Sequence, residues 1–284
     1  MVKDLINISS KQEFKNRLKD ILTENAITIK KKLSQTFLVD PHELRFIAKI
    51  VKKESADKPC IMEIGSGIGN LTVYLAYENI DKTIISVEYD QRFAKILKEL
   101  QEDFYNVDVV IGDARQIVTS VRGCNVVVGN LPYHITSQLL LSIAKGIFDT
   151  VIVTVQKEVA GRIASRPGTR GYGKLTAFLQ HMFSVNYIKT IPLNKFYPRP
   201  EVHSAILLLK RKRNYDSFSE VFEDVVKCLF SYRRKVVAKA LARCIDKEVD
   251  GKIGGLEEIW RKRVYQLSVE ELEKIAHIFA ELKK

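Results

Sequence analysis

Val126-Val127-Val128-Gly129-Asn130-Leu131-Pro132-Tyr133 decides how the chain is read. Three β-branched residues after Gly123-Cys124-Asn125 predict a short, fully buried strand. Pro132 has no N–H to donate and holds Leu131 out of the helical region, so strand pairing stops there. The side-chain amide of Asn130, the backbone carbonyl of Leu131 and the ring of Tyr133 therefore gather just past the carboxyl end of a strand. That is where open α/β sheets bind ligands. Two acceptor oxygens suit the two hydrogens of an exocyclic amine, and the ring suits stacking on the base that carries it. The plainer reading is a strand-ending turn whose asparagine caps the next helix.

Upstream, Cys60-Ile61-Met62-Glu63-Ile64 predicts a buried strand and Gly65-Ser66-Gly67-Ile68-Gly69 a glycine turn. Asn70-Leu71-Thr72-Val73 opens a helix, and Ile84-Ile85-Ser86-Val87 is a second strand ending in Glu88. Glycines let the backbone approach a ligand, and an acidic side chain on the following strand grips ribose hydroxyls. The third glycine falls two positions after the second, where the dinucleotide fingerprint needs three, so the turn fits one adenosyl group better than NAD. A third strand, Val107 to Ile111, ends in Gly112-Asp113-Ala114, which brings Asp113 within reach of the adenine of the same ligand. The plainer readings are a surface carboxylate for Glu88 and a turn-forming residue for Asp113.

Residues 1–32 carry a weak helical pattern (Phe14, Leu18, Ile21, Leu22) and read as an N-terminal helical extension, closed by Lys30-Lys31-Lys32. Asp40-Pro41-His42-Glu43 is a helix start with its capping box. A fifth strand, Val151 to Val155, is followed by a helix to Ala164. Arg162, Arg166, Arg170 and Lys174 then surround Pro167-Gly168 and Gly171-Tyr172-Gly173, a basic loop fit for phosphates or simply solvated. Strands near Val185–Ile188 and Ser204–Leu209 are predicted to form an antiparallel hairpin at one edge; between them Pro198 and Pro200 fix a loop in which either Phe196 or Tyr197 is available to cover a ligand. Beyond Arg213 the pattern is helical to residue 284, interrupted by a loop at 251–255 and carrying Arg233-Arg234-Lys235. Strand–helix alternation predicts a Rossmann-like, mostly parallel sheet over residues 33–213 with an antiparallel edge, followed by a small all-helical domain over 214–284.

The 284 residues exceed one ordinary domain and suit a large and a small one. No apolar run reaches the length of a membrane span, and the N-terminus lacks a signal-peptide core. Cys60, Cys124, Cys228 and Cys244 show no C-x-x-C spacing and are read as buried thiols in a reducing cytoplasm, with no metal site expected. Basic residues outnumber acidic ones 46 to 34. Up to Arg213 the balance is 32 to 21, and beyond it 14 to 13, so the excess falls on the part bearing the suspected site. A basic surface there points to a polyanionic partner, or to ordinary lysine-rich solvation.

Taken together, these motifs resemble the ribosomal RNA adenine dimethyltransferase family. The resemblance runs through Leu33–Leu38, Glu63–Thr72, Glu88, Asp113-Ala114, Gly129–Tyr133, Val155–Ala160, Pro167-Gly168, Phe196–Ala205 and Arg233-Arg234-Lys235. It implies a methyltransferase that uses S-adenosyl-L-methionine to dimethylate N6 of two adjacent adenosines near the 3′ end of small-subunit rRNA. The implied cofactor contacts are Gln35, Thr36, Leu38, Glu63, Gly65, Gly67, Glu88, Tyr89, Asp113, Ala114 and Asn130. Asn130, Leu131, Tyr133 and Phe196 would act on the base, and Arg162, Arg166, Arg170, Lys174, Arg233, Arg234 and Lys235 on RNA. The partner implied is small-subunit rRNA within a pre-ribosomal particle, met by a cytoplasmic monomer. Thr36 stands where the family usually has Asn or His, Gln138 where proline is common and His203 where Asp is common, and the long N-terminal extension points to an archaeal or otherwise divergent member. The competing readings are a large-subunit rRNA adenine methyltransferase of the erythromycin-resistance type and a mainly non-catalytic assembly or transcription factor on the same fold.

Overall fold

Strands and helices alternate from residue 37 to residue 163, as the apolar pattern requires. The computed structural model describes residues 2–30, 35–245 and 257–282; Lys31, Lys32, Leu33, Ser34 and the expected loop at 251–255 lie outside them. The strands are β1 (Phe37–Leu38), β2 (Cys60–Ile64), β3 (Thr83–Glu88), β4 (Val107–Ile111), β5 (Val126–Asn130), β6 (Thr150–Gln156), β7 (Phe183–Ile191), β8 (Phe196–Tyr197) and β9 (Ser204–Arg211). The helices are α1 (Lys11–Glu24), α2 (Pro41–Glu54), α3 (Asn70–Glu78), α4 (Ala94–Asp103), α5 (Ala114–Ser120) and α6 (Thr136–Lys145). They continue with α7 (Lys157–Ile163), α8 (Lys174–Met182), α9 (Ser217–Ser231), α10 (Val237–Ile245), α11 (Glu257–Arg261) and α12 (Val269–Leu282).

Seven strands form one sheet in the order β4-β3-β2-β5-β6-β9-β7. The first five are parallel, and β9 runs antiparallel to β6. From β2 the chain builds outward through β3 and β4, then returns to the other side of β2 with β5 and β6. The order therefore reverses between β2 and β5, and a ligand crevice is expected outside their carboxyl ends. Gly129 sits at that seam. A Cβ there would stand 2.4 Å from the Ile64 carbonyl oxygen, so only glycine lets the two strand ends approach this closely. A second, two-stranded sheet pairs β1 with β8 antiparallel, Phe37 opposite Tyr197 and Leu38 opposite Phe196.

The chain divides into two compact units, one of residues 1–160 with 186–210 and the other of 161–185 with 211–284. This differs from the expected boundaries in two places. The N-terminal extension is no separate piece: Leu5, Phe14, Leu18, Ile21 and Leu22 are buried in the core of the first unit, and the Tyr74 hydroxyl donates to the Leu5 carbonyl at 3.2 Å. The segment 161–185, expected in the methyltransferase domain, belongs with the C-terminal helices. There the Arg233 guanidinium donates to the carbonyls of Thr169 and Arg170 (both 2.9 Å) and Tyr172 (3.2 Å), and the Gly168 N–H donates to the Tyr265 carbonyl. These contacts are between residues far apart in sequence, which local patterning does not show. The charge assignment moves with the boundary: the second unit holds a net +8 and the first +4.

The reading of the cysteines as free thiols is also corrected, because Cys60 is joined to Cys124 and Cys228 to Cys244. The first pair bridges the starts of neighbouring strands β2 and β5, and the second joins α9 to α10. Sequence separations of 64 and 16 gave no spacing signal, since the proximity comes from the strand order and the helix packing. Among the described residues no helix is long and apolar enough to cross a membrane.

The Gly129 seam gives a stability test. Gly129→Ala should cost about 1–3 kcal/mol or more by forcing β5 off β2. Gly161→Ala, in α7 with open space around its Cβ position, should be neutral or stabilising by roughly 0.5–1 kcal/mol. Urea denaturation midpoints of the two variants against the parent measure the contrast.

Candidate functional site

A cavity of about 360 Å³ lies at the sheet's reversal point. Its volume falls within the roughly 300–1,000 Å³ of small-molecule sites. Its wall includes Gln35, Thr36 and Leu38 from the stretch around β1, Glu63 in β2 with Gly65 and Gly67 just after it, and Glu88 at the end of β3 with Tyr89 next to it. Asp113, Ala114, Asn130 and Leu131 complete the set, so every residue expected to contact the cofactor lines one cavity.

The glycine turn follows β2 because Gly65, Gly67 and Gly69 all take positive φ. At Gly67 a Cβ would meet the Phe37 ring at 2.7 Å, so the bare backbone is what lets β1 close over the turn. The turn is braced by Glu88, which is only 8% exposed: Oε2 accepts the Gly67 N–H at 2.7 Å and Oε1 accepts the Asp90 N–H at 2.8 Å. Each oxygen keeps a lone pair for a further donor. Burial holds the Glu88 carboxyl above its ordinary range, so it is no surface carboxylate. Glu63, 2% exposed, accepts from the Thr72 hydroxyl, and burial lifts its pKa to about 7 against the favourable Thr72 and Ser66 contacts. Two buried acceptor groups with raised pKa values in one cavity form a place for hydroxyl donors.

Asp113 is placed by β4 and α5 together. It lines the cavity, and it caps α5 by accepting the Arg115 N–H at 2.9 Å. Both its oxygens also accept from the Arg115 guanidinium, which holds its carboxyl below the usual range. The other arm of Arg115 donates to Gln138 Oε1 at 3.1 Å, which accounts for glutamine at 138. His203 is likewise accommodated locally, its Nδ1 accepting the Leu193 N–H at 3.3 Å.

Asn130 settles its own alternatives. It caps nothing: α6 begins after Ile135 with no side-chain cap. Its Nδ2 donates instead to the Thr36 carbonyl at 2.9 Å, and its Oδ1 is buried without a hydrogen-bond partner. A buried, unpartnered acceptor costs roughly 1–3 kcal/mol, and this one stands in the cavity wall. Leu131 is fixed by its N–H donating to the Thr154 carbonyl at 3.0 Å. Tyr133 is half-buried beside the wall residues Pro132 and His134, with its hydroxyl tied to Ser204 Oγ at 2.7 Å. Phe196 departs from expectation: at 3% exposure it belongs to the core opposite Leu38, with no face turned to a ligand.

The basic residues Arg162, Arg166, Arg170, Lys174, Arg234 and Lys235 are exposed and, with Arg233, all belong to the second unit. Arg233 is half-buried and acts as the clamp on the 169–172 carbonyls, with its guanidinium over the Tyr265 ring. The cavity also uses residues that the sequence did not single out. Arg115 and His134 line it, and Asn70 Nδ2 donates to the Leu38 carbonyl at 2.7 Å, tying β1 to α3. Only Arg115 carried a signal, two positions beyond a helix-capping aspartate.

A family model described as "Ribosomal RNA adenine dimethylase" matches residues 26–280. "Ribosomal RNA small subunit methyltransferase A" of Bacillus mycoides is 34% identical, over 92% of this chain and 95% of that protein. "Probable ribosomal RNA small subunit methyltransferase A" of Methanococcus maripaludis strain C6 is 34% identical, over 87% of this chain and 95% of that one. A solved dimethyladenosine transferase from Plasmodium falciparum superimposes with a TM-score of 0.69 at 22% identity, covering 84% of this chain and 96% of that one, and shares the fold.

Glu63 gives the site a pH signature. Between pH 4.5 and about 7 the folded chain keeps a proton that the unfolded chain has released, so stability falls as pH rises through that window. Glu63→Gln should remove on the order of 3 kcal/mol of this loss above pH 7. Urea midpoints measured from pH 4 to 8 should flatten in the variant.

Proposed function

The chain belongs to the ribosomal RNA adenine dimethylase family, and from that premise we propose that it dimethylates N6 of two adjacent adenosines near the 3′ end of small-subunit rRNA. Its methyl donor in this reading is S-adenosyl-L-methionine, and its substrate is RNA in an assembling small subunit. It would act as a monomer in the cytoplasm. The observation that carries the reading is the unpartnered Asn130 Oδ1 in a cavity that also holds Glu63, Glu88 and the glycine turn.

The residues present fit the donor. Glu88, with a free lone pair on each oxygen, would hold the ribose hydroxyls beside the Gly65–Gly67 backbone. Asp113 and Ala114 would face the adenine, and Gln35, Thr36, Leu38 and Glu63 would enclose the remainder. When bound, the donor supplies a methyl group on a positively charged sulfur. The protein's task is then the nucleophile, because an adenine amine is conjugated with its ring and a poor electron donor. Asn130 Oδ1 and the Leu131 carbonyl would accept the two N–H bonds of that amine and turn its lone pair toward the methyl carbon. The Thr36 carbonyl keeps the amide in this sense by occupying Nδ2. Transfer would form the N–C bond as the methyl's bond to sulfur breaks, its electron pair remaining on the sulfur as a neutral thioether, and the amine proton would leave for solvent, since the cationic product is acidic enough to need no dedicated base. Tyr133, steadied by Ser204, would stack on a base withdrawn from the RNA, which contributes about 1–3 kcal/mol per base in single-strand binding.

Asn130→Ala should lower kcat by about 10²–10³-fold, the cost typical of one lost preorganised polar contact. Its affinity for S-adenosyl-L-methionine should stay within a few-fold. Transfer of labelled methyl groups to unmodified small subunits, with mass-spectrometric mapping of the modified nucleotides, tests both the substrate and the role. Wild-type rates in the variant, or modification of large-subunit RNA, would overturn the assignment.

A further inference from the structure

The first unit carries a row of cations that the catalytic reading does not use. Lys11, Lys15 and Lys19 recur every four residues along α1. At 3.6 residues per turn they share roughly 80° of arc and rise about 6 Å per step. Glu13, Asp20 and Glu24 fall on the far side of the same helix, where Arg17 pairs with Glu24 at 2.9 Å, so the lysine side carries cations alone. Among the described residues none of the three lysines has a carboxylate within salt-bridge reach. Instead Lys15 Nζ and Lys19 Nζ each stand 5.3 Å from the centroid of the Tyr197 ring. Arg199 is exposed two residues further on, between Pro198 and Pro200. Tyr197 is the strand partner of Phe37, which lines the cavity, so this row lies one strand from the cavity wall.

We infer that Lys11, Lys15 and Lys19, with Tyr197 and Arg199, form a phosphate-binding row for the single-stranded RNA segment that enters the cavity. This rests on the RNA-methylating reading above. Cations gathered on a ring rather than on carboxylates stay available to a polyanion, and their partial ordering lowers the cost of fixing them on binding. The step along the helix is of the same order as the separation of successive phosphates on an extended strand. An acidic peptide would meet the same charge, but the aromatic ring among the lysines and the adjoining purine site favour RNA. The row guides the backbone and carries no sequence information, as phosphate contacts do not.

The test compares the full chain with Lys11→Gln/Lys15→Gln/Lys19→Gln and with a control, Lys95→Gln/Lys98→Gln, which neutralises exposed lysines on α4. Binding of a fluorescein-labelled single-stranded RNA oligonucleotide is followed by anisotropy across a potassium chloride series. The triple variant should show a log–log salt slope shallower by about 2, from three lost phosphate contacts on a single strand. Its RNA KM in methyl transfer should rise while kcat and S-adenosyl-L-methionine affinity stay within twofold, and the control should match the parent. A triple variant with the parent's salt slope, or a control that loses as much, overturns the row. Absence of methyl transfer to small subunits by the parent chain overturns the catalytic reading instead, and the oligonucleotide slopes still decide the row separately.

Discussion

The hydrogen bond from Asn130 Nδ2 to the Thr36 carbonyl, spanning 94 residues of sequence, is the contact on which the site depends. An amide has two ends, and once its nitrogen is engaged its oxygen is directed. Here the oxygen is left buried and unpaired in the cavity wall. The bond can form only because two approaches bring its partners together. Gly129 lets β5 run against the Ile64 carbonyl, which places Asn130 beside the glycine turn, and Gly67 lets the Phe37 ring settle over that turn, which carries Thr36 with it. In each case the constraint is the absence of a Cβ.

The buried carboxylates follow the same logic. Glu88 ties the turn to the end of β3 through the Gly67 and Asp90 N–H groups, and Glu63 is met by the hydroxyls of Thr72 and Ser66, yet burial raises the pKa of both. Both groups would ionise more readily in water, so the fold is less stable at neutral pH for keeping them. Their remaining lone pairs match a ligand rich in hydroxyl donors, whose binding offsets part of that cost. Strain of this kind gathers where chemistry is done.

Much of this was legible in the chain. The strand before Gly129, the glycine turn, Glu88 and Asp113 are local patterns: a buried strand, a turn of positive-φ glycines, the last residue of β3 and the residue before α5. What escaped reading is long-range. The two-residue strand β1 and its partner β8 are too short for any period. The cysteine pairs join segments that only strand order or helix packing brings together. Phe196 reads as available to a ligand because it opens a stretch fixed by Pro198 and Pro200, but its pairing with Leu38 turns it into the core. The boundary near residue 161 was invisible because the segment 161–185 joins its unit through Arg233 and α8, not through its own composition.

That boundary changes how affinity and chemistry are divided. The first unit holds the cavity and a net charge of only +4, whereas the second holds +8 without a residue of the cavity wall. Long-range attraction to a polyanion is then mainly a property of the helical unit, where Arg233 spends its guanidinium on shaping the loop that displays Arg166 and Arg170. In the proposed reaction the acceptor nitrogen would have to sit at hydrogen-bond distance from Asn130 Oδ1 in one fixed orientation, which diffuse attraction cannot arrange. In the proposed reading a local cation would hold the strand near the cavity. The lysine row of α1, with Lys15 and Lys19 against the Tyr197 ring, is our candidate in the first unit, on a helix whose apolar residues are built into the core.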